Sequence, residues 1–157
     1  MSNYKIEDNI YAKDTGSYGK SLFAKKDFAK DELIFVAFGP LVKAATQYTI
    51  PISKHLKIEP RLPEGNICQY ICHSCDPNMG IKDRTCLVAM RDIKKDEEIR
   101  IDYGMIGYEY GEEITDEERT CKCGSSICRG KMGCYKEMPQ EIREKYKGYI
   151  SDYLLDM

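Results

Sequence analysis

The sequence predicts a mostly β domain of short sheets closed by one late helix, and three observations predict it. Short aromatic and β-branched runs, such as Leu33 to Phe38 and Cys86 to Met90, are bounded by turn residues, which favours strands over helices. Ile99, Ile101 and Tyr103 alternate with polar residues just before Gly104, and period two places the three on one strand face. Only the C-terminus changes period: Ile142, Tyr146, Tyr149, Ile150, Tyr153 and Leu154 fall at helical spacing after Pro139. A chain of 157 residues, 42% of them apolar, suits one domain that buries roughly two-thirds of its unfolded surface.

Taken in order, residues 1–18 mix Tyr4, Ile6, Ile10 and Tyr11 with charges and end in Asp14-Thr15-Gly16-Ser17. They read as an edge strand and a loop. Gly19 to Ala24 then reads as a tight turn leading into a strand, and Leu33 to Phe38 as a strand stopped by Gly39-Pro40. Tyr48, Ile50 and Ile52 alternate around Pro51, which confines this segment to a sheet edge or a strand start. Pro60 and Pro63 make Ile58 to Gly65 a loop, and Lys94-Lys95-Asp96 supplies a turn. In the C-terminal helix Glu141 can pair with Lys145 one turn on. Gly148 weakens that helix by about 1 kcal/mol relative to alanine, and its tyrosine stripe reads as core packing.

The 24 basic residues nearly balance the 26 acidic ones, so no global field calls for direct nucleic-acid binding. Tyr108 to Glu118 is the exception, with six carboxylates and no basic residue. It is either a solvated loop or a rim that attracts a basic peptide. No apolar run has signal-peptide length or approaches the roughly 18 residues of a membrane span. The expectation is a soluble intracellular protein, cytoplasmic or nuclear, with no membrane partner.

In that setting eight cysteines read as metal ligands and reduced thiols rather than as a disulfide framework. Cys121, Cys123 and Cys128 follow C-x-C-x4-C; three thiolates so close suit a tetrahedral zinc with bonds of about 2.3 Å and leave one ligand to come from elsewhere. Separate reduced thiols are the alternative. Cys72 and Cys75 could instead form a C-x-x-C redox pair, and His73 is a weaker metal candidate. Cys68, Cys86 and Cys134 read as small hydrophobes.

Two stretches concentrate polar chemistry: Ile71 to Gly80, ICHSCDPNMG, and Ile99 to Gly104, IRIDYG. They resemble the SET-domain protein lysine methyltransferases, whose pattern runs Asn-His-Ser-Cys-Asp-Pro-Asn and later Glu-Glu-aliphatic to Asp-Tyr-Gly. Gly19 to Ala24 is similar to that family's Gly-x-Gly-aliphatic-aromatic-Ala block, and Cys121 to Gly130 to its post-SET region, so the resemblance runs from Gly19 to Gly130. It implies a SET-like fold of short β-sheets with knot-like threading and a zinc-binding post-SET segment, to which the helical spacing adds the C-terminal helix. The implied boundaries are 1–120 for the SET domain, 121–135 for the zinc region and 136–157 for the helix.

The resemblance further implies that S-adenosyl-L-methionine is held by Lys20, Ser21, Leu22, Tyr70, Cys72, His73 and Tyr103. Tyr103 would be the catalytic tyrosine, and Zn2+ would bridge Cys75 to Cys121, Cys123 and Cys128. The implied reaction is methylation of an accessible lysine on a protein substrate, within a basic segment if the acidic stretch is the rim that attracts it. Two positions depart from the pattern. Cys72 replaces an asparagine whose amide both donates and accepts, and one lost hydrogen bond to a charged group costs roughly 1.5–3 kcal/mol, about tenfold to a hundredfold in affinity. Ser21 replaces the second glycine, a steric cost if that position needs positive φ.

Ile101 stands where the resemblance places an aromatic residue that limits methylation, which predicts a channel roomy enough for more than one methyl group. The alternatives are a catalytically weakened, zinc-stabilised peptide-binding module and a methyltransferase acting on a small free amine. The chain shows no obvious room for a separate targeting domain, so substrate choice is expected to rest on residues 40–66 and 105–120 or on a partner. Nothing in the sequence assigns an oligomeric state.

Overall fold

A computed structural model describes residues 5–157; Tyr4, placed above in the first strand, lies outside the described residues. The strands are β1 (Ile10–Asp14), β2 (Lys20–Ala24), β3 (Leu33–Val36), β4 (Leu41–Val42), β5 (Ile50–Pro51), β6 (Lys57–Ile58), β7 (Cys72–His73), β8 (Met79–Lys82), β9 (Cys86–Ala89) and β10 (Glu98–Ile101). They form three sheets with orders β1-β2-β10-β7, β3-β9-β8 and β4-β6-β5. The predicted edge positions hold: β1 and the Pro51-bearing β5 each flank their sheet, so neither needs a second pairing partner.

The pairing that positions the site is β7 with β10. It is parallel, with Arg100 opposite Cys72 and Ile101 opposite His73, and parallel neighbours require a long connection. Here the connection contains the β8–β9 hairpin, which builds the second sheet instead. Asp83 and Asp96 close the turns after β8 and before β10 with φ of 56° and 68°, a region that short polar residues tolerate. Ile10, Leu22, Ile99 and Ile101 of the first sheet, Phe35, Met79 and Leu87 of the second, and Tyr146 and Leu154 of the C-terminus share one buried core.

Two expectations are corrected. β10 ends at Ile101, and Tyr103 opens a 3-10 turn, Tyr103–Met105, capped by Asp102, whose Oδ1 accepts from the Gly104 amide at 3.0 Å. Ile99 and Ile101 share the fully buried face, while Tyr103 leaves the strand's alternation.

The single C-terminal helix is in fact two short ones, α1 (Gln140–Lys145) and α2 (Asp152–Leu155). Gly148 breaks the run at φ 87°, and the freed backbone is used elsewhere. The Ile81 amide donates to the Tyr149 carbonyl at 3.0 Å, and the Ser151 and Asp152 amides donate to Met105 and Asp83 at 2.9 Å. A continuous helix would forfeit these bonds. The stripe does pack inward, with Tyr146, Ile150, Tyr153 and Leu154 buried.

The same docking leaves no room at Gly80. A Cβ there would lie 2.5 Å from Tyr149 Cβ, an atom that no side-chain rotation can move away. Gly80→Ala should lower the unfolding free energy by about 1–3 kcal/mol, read as a lower urea midpoint at unchanged m-value.

Candidate active site and metal centre

Cys75 follows β7, and its sulfur lies 3.8 Å from that of Cys121. The sulfurs of Cys75, Cys121, Cys123 and Cys128 all lie within 4.8 Å of one another. A tetrahedral zinc with bonds of about 2.3 Å separates its sulfurs by about 3.8 Å, so this donor set fits the metal expected. All eight cysteines are free. Cys72 is not paired with Cys75: its sulfur lies 3.4 Å from the carbonyl oxygens of Lys20 and of Tyr70. Cys68 and Cys134 are buried and Cys86 is half-buried, in keeping with thiols that only pack.

His73 stands beside the four thiols rather than among them. Its Nδ1 accepts from the Tyr103 amide at 3.1 Å, which leaves Nε2 to carry the proton and donate to the Cys75 sulfur at 3.4 Å. Burial lowers its pKa to about 4 against the opposing pull of Asp102, so the ring is neutral. One imidazole thus joins a metal thiolate to the backbone of the predicted catalytic tyrosine.

Asp102, fully buried, ties the same region to the tail. It pairs with the Arg129 guanidinium and accepts from the Tyr146 hydroxyl at 3.3 Å. Arg129 directly follows the last metal cysteine, and its own amide donates to the Cys75 sulfur at 3.4 Å.

Beside this junction lies a cleft of about 520 Å3. Lys20, Tyr70, Cys72 and Tyr103 of the predicted cofactor set line it. Ser21, Leu22 and His73 do not: the first two are fully buried on β2, and His73 is buried against Cys75. Lys20 Nζ sits 5.4 Å from the Tyr70 ring centroid. The Tyr103 hydroxyl donates to the Ile71 carbonyl at 2.9 Å, and burial pushes its pKa well above the usual phenol value. It is a neutral phenol held at both ends. Burial likewise raises the Cys72 pKa, leaving a protonated thiol.

The concern over Ser21 is removed, because the positive φ falls on Gly19, at 85°, and not on Ser21. Ile101, on which the expectation of a roomy channel rested, has its side chain wholly buried in the main core and does not line the cleft. From the two loops singled out in the sequence, residues 45–51 line it, as do Ile106, Gly107, Glu109, Tyr110, Gly111, Glu113 and Ile114.

The acidic stretch contributes Glu109, Glu113 and Glu118 to the cleft. It is partly neutralised, by Lys136 on Glu109 at 3.2 Å and Lys131 on Asp116 at 2.9 Å. Sequence reasoning missed Tyr18, Tyr110 and Arg119, all of which line the cleft. Tyr110 sits inside the charge run that drew attention, and its aromatic character was the available signal.

A SET-domain family model matches residues 19–104, more than half of the chain, and the chain belongs to the SET-domain family. Among curated relatives it is 32% identical over 80 residues to the Arabidopsis thaliana histone-lysine N-methyltransferase SUVR3, covering 45% of this chain and 22% of that protein. It is 28% identical over 135 residues to the Caenorhabditis elegans histone-lysine N-methyltransferase set-2, covering 72% of this chain and 8% of that protein. It therefore spans less than a quarter of either relative. Among solved structures, KRYPTONITE in complex with mCHG DNA and SAH superposes with a TM-score of 0.64 at 20% identity, over 80% of this chain and 29% of that one. A second KRYPTONITE complex, with mCHH DNA, an H3(1-15) peptide and SAH, gives the same TM-score at 19% identity and the same coverage.

Two measurements probe the junction. Metal analysis of purified protein should find one zinc per chain, and Cys121→Ser should lose it. Arg129→Met, which leaves a buried carboxylate without its cation, should cost about 3–5 kcal/mol of stability in denaturant unfolding. Arg129→Lys should recover only part of this, since a point charge does not reproduce the guanidinium fork.

Proposed function

We propose that the chain is an S-adenosyl-L-methionine-dependent methyltransferase acting on a lysine side chain of a protein. The observation that carries this reading is the Tyr103 phenol, neutral and fixed at both ends, in one cleft with Lys20, Tyr70 and Cys72. The cleft has the volume typical of a small-molecule site, and Ser21 adopts its place on β2 without positive φ, so the residues present fit the donor. When bound, that donor supplies an electrophilic methyl carbon on a sulfonium.

The residues of the chain must then deliver a neutral amine in line with that carbon. Lysine has an unperturbed pKa of about 10.4, and desolvation in the cleft lowers it. The lysine nitrogen's lone pair forms the new N–C bond as the S–C bond breaks and its pair stays on sulfur; the surplus amine proton leaves to solvent. Tyr103 spends its proton on the Ile71 carbonyl, which leaves its oxygen lone pairs free to accept from the amine N–H. It orients rather than deprotonates.

The named activities of the relatives and the H3 peptide in the KRYPTONITE complex support a histone-like protein substrate. The carboxylates of Glu109, Glu113 and Glu118 along the cleft support basic flanking residues. The same reading assigns 1–120 to the SET domain, 121–135 to the zinc region and 136–157 to a C-terminal cap. Among the described residues no helix is long and apolar enough to cross a membrane.

A second reading, a peptide-binding module with weakened catalysis, has one observation in its favour: Lys20 and Tyr70 carbonyls already engage the Cys72 thiol. Calorimetric titration of S-adenosyl-L-methionine into zinc-loaded protein, with transfer of labelled methyl groups to an H3(1-15) peptide, separates the two. Micromolar binding and transfer are expected. Tyr103→Phe should lower kcat by about 100-fold, and Cys72→Asn should tighten donor binding by about tenfold. Absence of binding and transfer in the unmodified protein, with binding restored by Cys72→Asn, would establish the module.

A further inference from the structure

Residues 45–51 form part of the cleft wall, yet the stretch between β4 and β5 contains no strand or helix, and Thr46, Gln47 and Tyr48 are exposed. Two threonines fold it into a turn. The Thr46 amide donates to the Thr49 hydroxyl at 3.0 Å, and that hydroxyl donates to the Thr46 carbonyl at 2.9 Å. The Tyr48 amide donates to the Thr46 hydroxyl at 3.2 Å. Such local bonds close a turn, but they do not fix where it sits against the domain.

Its position is set from Glu59, the residue after β6. The Glu59 side chain is buried and accepts from the Thr46 hydroxyl at 3.3 Å. The same carboxylate accepts from the Arg61 amide, from Arg61 Nε and from an Arg61 terminal nitrogen, each at 3.0 Å. The last two bonds form the planar fork of a guanidinium on a carboxylate. The Arg61 guanidinium carbon in turn lies 4.5 Å from the Tyr48 ring centroid, within stacking range. One buried carboxylate thus holds the turn twice, at Thr46 directly and at Tyr48 through Arg61.

Placement and charge distinguish Arg61 from a cation that binds a ligand itself. Tyr48 lines the cleft and Arg61 does not, so the guanidinium acts through the ring. Its bonds hold the Glu59 carboxyl below the usual carboxylate range, so both partners are ionised and their charges cancel. The clamp therefore orders the wall without adding net positive charge to a cleft whose Glu109, Glu113 and Glu118 suit a basic peptide. Order matters here because a loop that must be fixed on binding subtracts its ordering cost from the affinity.

We propose that Arg61 is a positioning residue for the peptide substrate: forked onto Glu59 and stacked on Tyr48, it holds residues 46–49 as a preformed wall for the chain that flanks the target lysine. The proposal rests on the lysine-methylating reading of the cleft.

Arg61→Met removes the fork and the stacked cation, whereas Tyr48→Ala removes the ring and leaves the Glu59–Arg61 pair in place. In methyl transfer to an H3(1-15) peptide, each should raise the peptide KM about tenfold, the cost of ordering one or two side chains on binding. The kcat and the calorimetric affinity for S-adenosyl-L-methionine should not change. Because the two residues act as one unit, the double variant should match the singles rather than reach about a hundredfold. Arg61→Lys leaves Glu59 a cation, which guards against a variant that fails to fold, and without the fork it should raise KM in the same direction. A lower melting temperature with unchanged KM would make the clamp a structural brace alone and overturn the proposal. Multiplicative effects in the double variant, or a loss of donor affinity, would overturn it too.

If the unmodified protein transfers no methyl group, the proposed activity fails on that result alone. The wall is then tested by titrating the same peptide: weaker binding by Arg61→Met and Tyr48→Ala supports it, and equal affinity, or no binding to the unmodified protein, overturns it.

Discussion

Asp102 carries a carboxylate with no exposed surface at the point where β10 gives way to the turn holding Tyr103. An isolated charge there would cost several kcal/mol in lost hydration. What makes its burial tolerable is the Gly104 amide of its own turn and two distant groups, the Tyr146 hydroxyl of the C-terminal cap and the Arg129 guanidinium of the cysteine-rich tail. The tail and the cap thus complete the core as well as covering it. A chain without them would leave the residue next to Tyr103 as an uncompensated buried charge.

The metal cysteines act on the same point from the other side. Four thiols gathered from Cys75 and the tail would each repel the others if ionised, so metal binding is what makes the thiolates compatible and turns coordination into folding energy. Through His73, Cys75 is linked to the Tyr103 amide, and through Arg129 the tail is linked to Asp102. Tyr103 is consequently held by two connections, one through an imidazole and one through an ion pair, and both begin within the cysteine cluster. This explains how a short 3-10 turn, with little regular structure of its own, can hold the Tyr103 side chain in a fixed orientation.

The cleft beside it is assembled from pieces with unlike chemistry. The β2 and β7 side offers Lys20 on the Tyr70 face and a protonated Cys72 thiol; residues 106–119 offer carboxylates and Tyr110, stacked on Arg119.

Much of this was legible in residues 19–130 without coordinates. C-x-C-x4-C spacing specifies a metal because three ligands are local, and Lys94-Lys95-Asp96, Pro51 and the alternating Ile99 and Ile101 fix turns, an edge and a buried face through short-range sterics. What sequence could not decide depends on contacts between distant segments. Period two carried Tyr103 onto the Ile101 face, but Asp102 caps a turn there because Arg129 and Tyr146 make its burial tolerable. Helical spacing joined residues 139–155 into one helix, but Gly148 breaks it because β8 and the Tyr103 turn take up the backbone of residues 149–152. Ser21 looked strained only until Gly19 was seen to carry the positive φ. Local spacing indicated most of the strands and three of the four clustered cysteines, and tertiary packing decided which side chains reach the cleft, because a buried polar group takes its partners from wherever the fold brings them.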